Sequence, residues 1–148
     1  MLRLALIVHV LAVVIWVGGM AFAHFALRPA RAQTLEPPQR LQLLSLILQR
    51  FLAAVTLAVV LIIVSGGYLM AQMGGVAAPA TGHAMLAMGV VMIVIFGYLR
   101  LRSYPALRAA VDAARWPEAG ARAGTIRHLV AINLVLGLVV IVVAVLGR

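Results

Sequence analysis

The chain has 148 residues, 66% of them hydrophobic and 10% charged, with a mean hydropathy of +1.16 and a formal net charge of +9. A soluble domain is roughly half apolar and a quarter charged, so this composition excludes one and leaves no length for a separate soluble catalytic domain. The basic residues flank apolar runs instead of forming a patch on a soluble surface, which sets nucleic acid aside and makes membrane lipids with anionic headgroups a sufficient partner.

The first apolar run predicts a membrane span over about residues 4–27, closed by Arg28-Pro29. Arg3 ahead of an apolar stretch, and Ala21-Phe22-Ala23 as a cleavage-like triplet, imitate a signal peptide. The run is longer than a signal core of roughly 7–15 residues, so it reads as a first span. Glu36-Pro37-Pro38 then breaks the chain, and a helix is expected from near Gln39, amphipathic over 40–50 and spanning over about 51–73. Residues 74–82, small and uncharged, predict a tight outer turn. A third span over about 81–99 ends at Arg100-Leu101-Arg102, bracketed by Tyr98 and Tyr104 as interfacial aromatics. An amphipathic inner helix is expected over 106–115, limited by Pro105 and Pro117, and a fourth span over about 128–146, with Arg148 at its outer end. The fold class is all-α: a single integral-membrane domain over 1–148, an up-down-up-down four-helix bundle.

Ten of the twelve arginines lie in two stretches, 28–50 and 100–127. Short basic loops stay in the cytoplasm, so both stretches are expected inside and both termini outside (N-out/C-out), in a bacterial inner membrane. Cysteine and lysine are absent, which removes iron–sulfur clusters, thiolate sites, disulfides and Schiff bases. The acids Glu36, Asp112 and Glu118 all lie in the inner segments, so no span offers a carboxylate for proton relay. No nucleophile–base pair, phosphate loop or carboxylate dyad is present.

The chemistry-bearing side chains are therefore histidines and methionines. His9 lies 19 residues before Arg28, and His83 lies 17 before Arg100. At about 1.5 Å per residue both stand some 25–28 Å above the same boundary. The first and third helices of such a bundle are diagonal neighbours. A gap of roughly 12–14 Å between them, from adjacent spacings of 8–10 Å, suits two imidazoles on one haem iron. That predicts haem b with His9 and His83 as axial ligands, set against the plainer reading that each histidine bonds a facing carbonyl. His24 and His128 form a second candidate pair at the inner end, or simply sit beside Arg28 and Arg127 at headgroup level. His9, Trp16 and Met20 share one helical stripe, expected to face inward, and Gly18 and Gly19 permit close helix approach. Arg50 can reach a haem propionate or a lipid phosphate.

Seven methionines raise copper as the alternative, since thioethers suit Cu(I). Met85, Met88 and Met92 do not share a face with His83, and methionine on an apolar helix commonly fills space. A smaller outer cluster of His9, Met70, Met73 and His83 stays open. Thr56, Ser65 and Asn133 are the remaining polar marks inside the spans and can bond across helices; Asn133, the costliest to bury, is expected to face the bundle.

His9 through Trp16-Val17-Gly18-Gly19 to Leu27-Arg28-Pro29, Arg50-Phe51 leading to Ser65-Gly66-Gly67, and the arginine-rich end of the third span together resemble the CopD-like copper resistance membrane family. The first element also resembles HemJ-type small haem-b membrane proteins. That likeness implies His9 as a haem ligand, although His83-Ala84-Met85 lacks the lysine of their His-x-Lys step. The CopD likeness implies copper uptake across the inner membrane. Three roles are therefore expected: a haem-b protein in electron transfer or porphyrin redox chemistry with a redox partner, a CopD-type copper-handling protein, or a non-catalytic accessory subunit of a larger membrane complex.

Overall fold

The computed structural model describes residues 1–147. Four long helices account for nearly all of them: α1 (Leu2–Thr34), α2 (Pro37–Gln72), α3 (Ala80–Asp112) and α4 (Trp116–Leu146). All four are long and apolar enough to cross a membrane. Arg148 lies outside the described residues.

The short links fix an antiparallel bundle. Leu35 and Glu36 are the only extended residues between α1 and α2. Glu36 then starts α2 through a capping box: Gln39 Oε1 accepts from the Glu36 amide at 3.2 Å, and the Glu36 side chain receives a backbone N–H in return. Pro37 occupies the first helical position, where a missing N–H costs nothing. At the other end, Gly74 (φ 103°) and Gly75 (φ 61°) turn the chain through left-handed backbone that a Cβ would disfavour. The turn closes at Pro79 and α3 starts at Ala80, so of the overlapping expectations for 81–82, outer turn and third span, the helix holds.

Two expectations about helix ends are corrected. Arg28-Pro29 does not stop the first helix, and Pro105 does not separate an inner helix from the third span. In both places the helix continues through a five-residue π turn, Ala23–Leu27 in α1 and Leu99–Ser103 in α3. Each π turn ends two residues before a proline. A proline ring clashes with the carbonyl four residues back, here that of Phe25 or Leu101, and both lie in the wide turns. One inserted residue moves that carbonyl away, so the helix survives its proline. The fourth helix likewise begins at Trp116, ahead of the membrane span expected from about 128.

Helices of 31 to 36 residues are about 46–54 Å long, whereas the hydrocarbon core is about 30 Å thick. The excess gathers at one pole, where α1 and α3 end and α2 and α4 begin, and the arginines from Arg28 to Arg127 lie toward this end. Here Tyr104, Leu107 and Ala110 of α3 with Ala119 and Ile126 of α4 continue the buried core of the spans. The arginine-rich segments are thus helical extensions rather than loose loops.

Within the spans α1 packs on α2 and α4, and α3 on α4. α1 and α3 are the diagonal pair, joined by Trp16 against Phe96, edge to face with ring centroids 5.8 Å apart. In lipid, helix association depends on close packing and small residues. Gly19 lies against the Phe51 ring, and Gly137 receives Val17 and Met92. Gly18 makes no such approach. Leu4, Ile7, Leu11, Val14, Val94, Val135 and Val142 remain exposed on the outer faces, an apolar surface that fits lipid contact.

Candidate functional site

His9 lies half-buried in the first span, and α2 decides its state. Its Nδ1 lies 2.9 Å from Ser65 Oγ. Ser65 Oγ in turn lies 2.5 Å from the Leu61 carbonyl oxygen, one turn back on its own helix. Two oxygens that close need a hydrogen between them, and the carbonyl has none to give. The hydroxyl proton therefore goes to Leu61 and the Ser65 oxygen accepts from His9. This assigns the Nδ1–H tautomer from the network and leaves Nε2 with its lone pair free. Metal-bound histidines are commonly held this way, one ring nitrogen donating to a fixed partner and the other ligating. Gly66 makes the room: a Cβ there would stand 3.1 Å from His9 Cε1.

Gly66, Met70 and Met73 share one face of α2, since offsets of four and seven residues return near the starting angle. Met70 and Met73 stand about 6 Å and 10 Å further along the axis than Gly66, toward the outer turn. There they meet α3 at its buried first-turn glycine. A Cβ on Gly82 would lie 3.6 Å from Met70 Sδ and 3.4 Å from Met73 Cε. Met70 is half-buried, and Met73 is 47% exposed. An imidazole with a free nitrogen and two thioethers thus mark one helix face, from the bundle interior to its outer end.

The other expected site residues fall elsewhere. His83 is exposed, with Nδ1 3.3 Å from the Pro79 carbonyl oxygen of its own first turn. No hydrogen bond or ring contact joins it to His9 among the described residues. Trp16 and Met20 face inward as expected, but into the packed core with Phe96. His24 is half-buried beside Phe25, in a groove of about 400 Å³ completed by Arg28, Pro29 and Ala32. His128 is exposed and does not line that groove, and Arg50 is exposed on α2. Among the described residues no three of His, Cys, Asp and Glu converge as a metal cluster. The donors on offer are soft thioethers and imidazole, a set that favours Cu(I) over zinc or harder ions.

Ser65 and Asn133 bond across helices as expected, although the sequence named no partner for either: Ser65 meets His9, and Asn133 Nδ2 donates to the Met92 carbonyl at 3.4 Å while its Oδ1 stays buried without a partner. Thr56 instead donates to the Leu52 carbonyl of its own helix, and sequence reasoning missed Gly66 and Gly82.

The family model for copper resistance protein D matches residues 45–146. The match takes in residues 45–72 of α2 with the whole of α3 and α4, including Ser65 through His83, and begins after α1. No curated protein and no solved structure matches the chain.

Proposed function

We propose that this chain, which belongs to the copper resistance protein D (CopD) family, takes up Cu(I) at the outer end of the bundle and passes it inward along α2, from Met73 and Met70 to His9. The observation that carries the reading is the convergence of both thioethers on Gly82, one to two turns above an imidazole whose Nδ1 is already committed to Ser65. Cu(I) accepts low coordination by thioether and imidazole, and none of these ligands must lose a proton to bind it. The arginine pole faces the cytoplasm by the positive-inside rule, which puts Met73 on the periplasmic side of an inner membrane and both termini outside. Haem b would require His9 and His83 on one iron. With His9 hydrogen-bonded to α2 and His83 exposed, copper is the better-supported ligand.

The test is anaerobic Cu(I) titration of the full chain in detergent against a chromophoric Cu(I) chelator. His9→Ala, and Met70→Leu with Met73→Leu, should each weaken binding by at least about tenfold, the loss of one good ligand interaction. Wild-type affinity in both variants defeats the proposal. A Soret band in the purified protein would favour haem instead.

A further inference from the structure

We propose that the groove between α3 and α4 at the arginine pole binds a phosphate group, supplied by the headgroup of an anionic phospholipid. The groove holds about 530 Å³ and is lined by Tyr98, Arg102, Ser103 and Ala106 of α3 with Arg122 and Thr125 of α4, a volume within the usual range for ligand sites. Tyr98, Arg102 and Ala106 are spaced by four along one stripe of α3, and Arg122 and Thr125 are spaced by three on α4. Two guanidiniums thus reach one cleft from facing helices, with hydroxyls between them.

The charges at this pole are unbalanced in a way that leaves the cleft electropositive. The arginines from 28 to 127 number ten against three acids. Glu36 caps α2, Asp112 pairs with Arg108, and Glu118 is held by Arg115 at 2.7 Å. Glu118 also meets Arg122 of the groove, at 3.9 Å. Arg102 has no acidic partner among the described residues. Ser103 lines the groove, and its hydroxyl makes no hydrogen bond to another described side chain or carbonyl. A phosphate can accept from that hydroxyl and from both arginines at once, by charge-assisted hydrogen bonds.

Position selects the source. Tyr98, 53% exposed, is an interfacial aromatic one turn above Arg102, and Arg122 lies about 7 Å beyond Arg127, where the uncharged run of α4 begins. The cleft therefore sits at headgroup depth, where basic pockets between spanning helices meet anionic lipid. The π turn Leu99–Ser103 shapes it, since the inserted residue rotates Arg102 and Ser103 relative to the helix above.

The experiment is thermal unfolding of the full chain in neutral detergent, titrated with phosphatidylglycerol, phosphatidylcholine or inorganic phosphate. Phosphatidylglycerol should raise the midpoint well above phosphatidylcholine at equal concentration. Arg102→Gln and Arg122→Gln, measured separately so that a folding defect in one leaves the other informative, should each raise the half-saturating lipid concentration by roughly tenfold. Arg108→Gln removes the same charge at the same pole outside the groove and should leave it unchanged. Protection by millimolar inorganic phosphate that needs Arg102 and Arg122 would keep the phosphate site but assign it to a soluble ligand, overturning the lipid source. Equal protection by both lipids with no effect of phosphate, or Arg102→Gln and Arg122→Gln titrating like Arg108→Gln, overturns the site altogether.

Discussion

Ser65→Ala tests the link between the α1–α2 packing and the proposed copper ligand. The substitution deletes the acceptor 2.9 Å from His9 Nδ1 and removes the polar atom without opening a cavity larger than one oxygen. Hydrogen bonds between membrane helices average about 0.6 kcal/mol and reach about 1.7, factors of about 3 to about 18 in affinity. Loss of the partner behind a metal-binding histidine commonly costs 10- to 100-fold. The two ranges overlap near tenfold, and that is the expected loss of Cu(I) affinity, smaller than the loss in His9→Ala. Ser65→Thr keeps the hydroxyl and should stay closer to wild type. The tautomer is an independent reading: the ¹⁵N spectrum of His9, assigned by its disappearance in His9→Ala, should show Nδ1 protonated in wild type and a shift toward Nε2 protonation in Ser65→Ala. An Nε2–H imidazole in the wild-type protein would refute the reasoning, because the lone pair offered to copper would not exist.

Five further substitutions at four positions probe the packing. Gly137→Ala puts a Cβ 2.8 Å from Val17 Cγ2 and 3.2 Å from Met92 Cε, where three helices meet. Overpacking of this kind costs about 1–3 kcal/mol, so the thermal midpoint should fall by several degrees. Gly18→Ala, which meets nothing within 4 Å, should be neutral or stabilising by up to ~1 kcal/mol. Gly82→Ala fits at ordinary contact distances and should spare both folding and copper binding, whereas Gly82→Ile pushes Met70 and Met73 aside and should cut Cu(I) affinity as far as the double methionine variant does. Asn133→Leu removes a buried, unpartnered Oδ1 together with one long hydrogen bond, so denaturation in detergent should find the variant as stable as wild type or up to ~1 kcal/mol more so. A clear loss of stability would mean that Oδ1 has a partner, such as a bound water.

Four spans and their order were legible because charge placement dictates them: an uncharged run of twenty residues between arginine clusters has few other homes. The helix ends were not legible. Proline was read as a terminator, yet Pro29 and Pro105 sit inside helices because a π turn precedes each, and no residue pattern announces an inserted π residue. The arginine stretches were read as loops because charge excludes them from lipid. It does not exclude them from helix, and arginine is a good helix former. The boundary of the membrane and the boundary of the helix are separate quantities, set by different energies.

The site shows the same division. Depth placed His9 and His83 near one level, but depth alone leaves open which neighbour each side chain meets. The links carry that information. In an antiparallel pair joined by two residues, positions equally far from the link face each other. His9 is 26 residues before Leu35 and Ser65 is 29 after Glu36, within one helical turn of a match, and they bond. Met92 and Asn133 stand nearly as evenly about the α3–α4 link and bond as well. Met70 is the position opposite Gly82 across the outer turn, Met73 lies one turn nearer the link, and both meet Gly82. Sequential neighbours hold their register through short links, whereas α1 and α3 are joined only through α2 and make little direct contact beyond Trp16 and Phe96. A site assembled from adjacent helices is thus held in register by the chain itself, and one assembled across the diagonal is not. This favours His9 with the methionines of α2 over His9 with His83 as the place where a ligand is held.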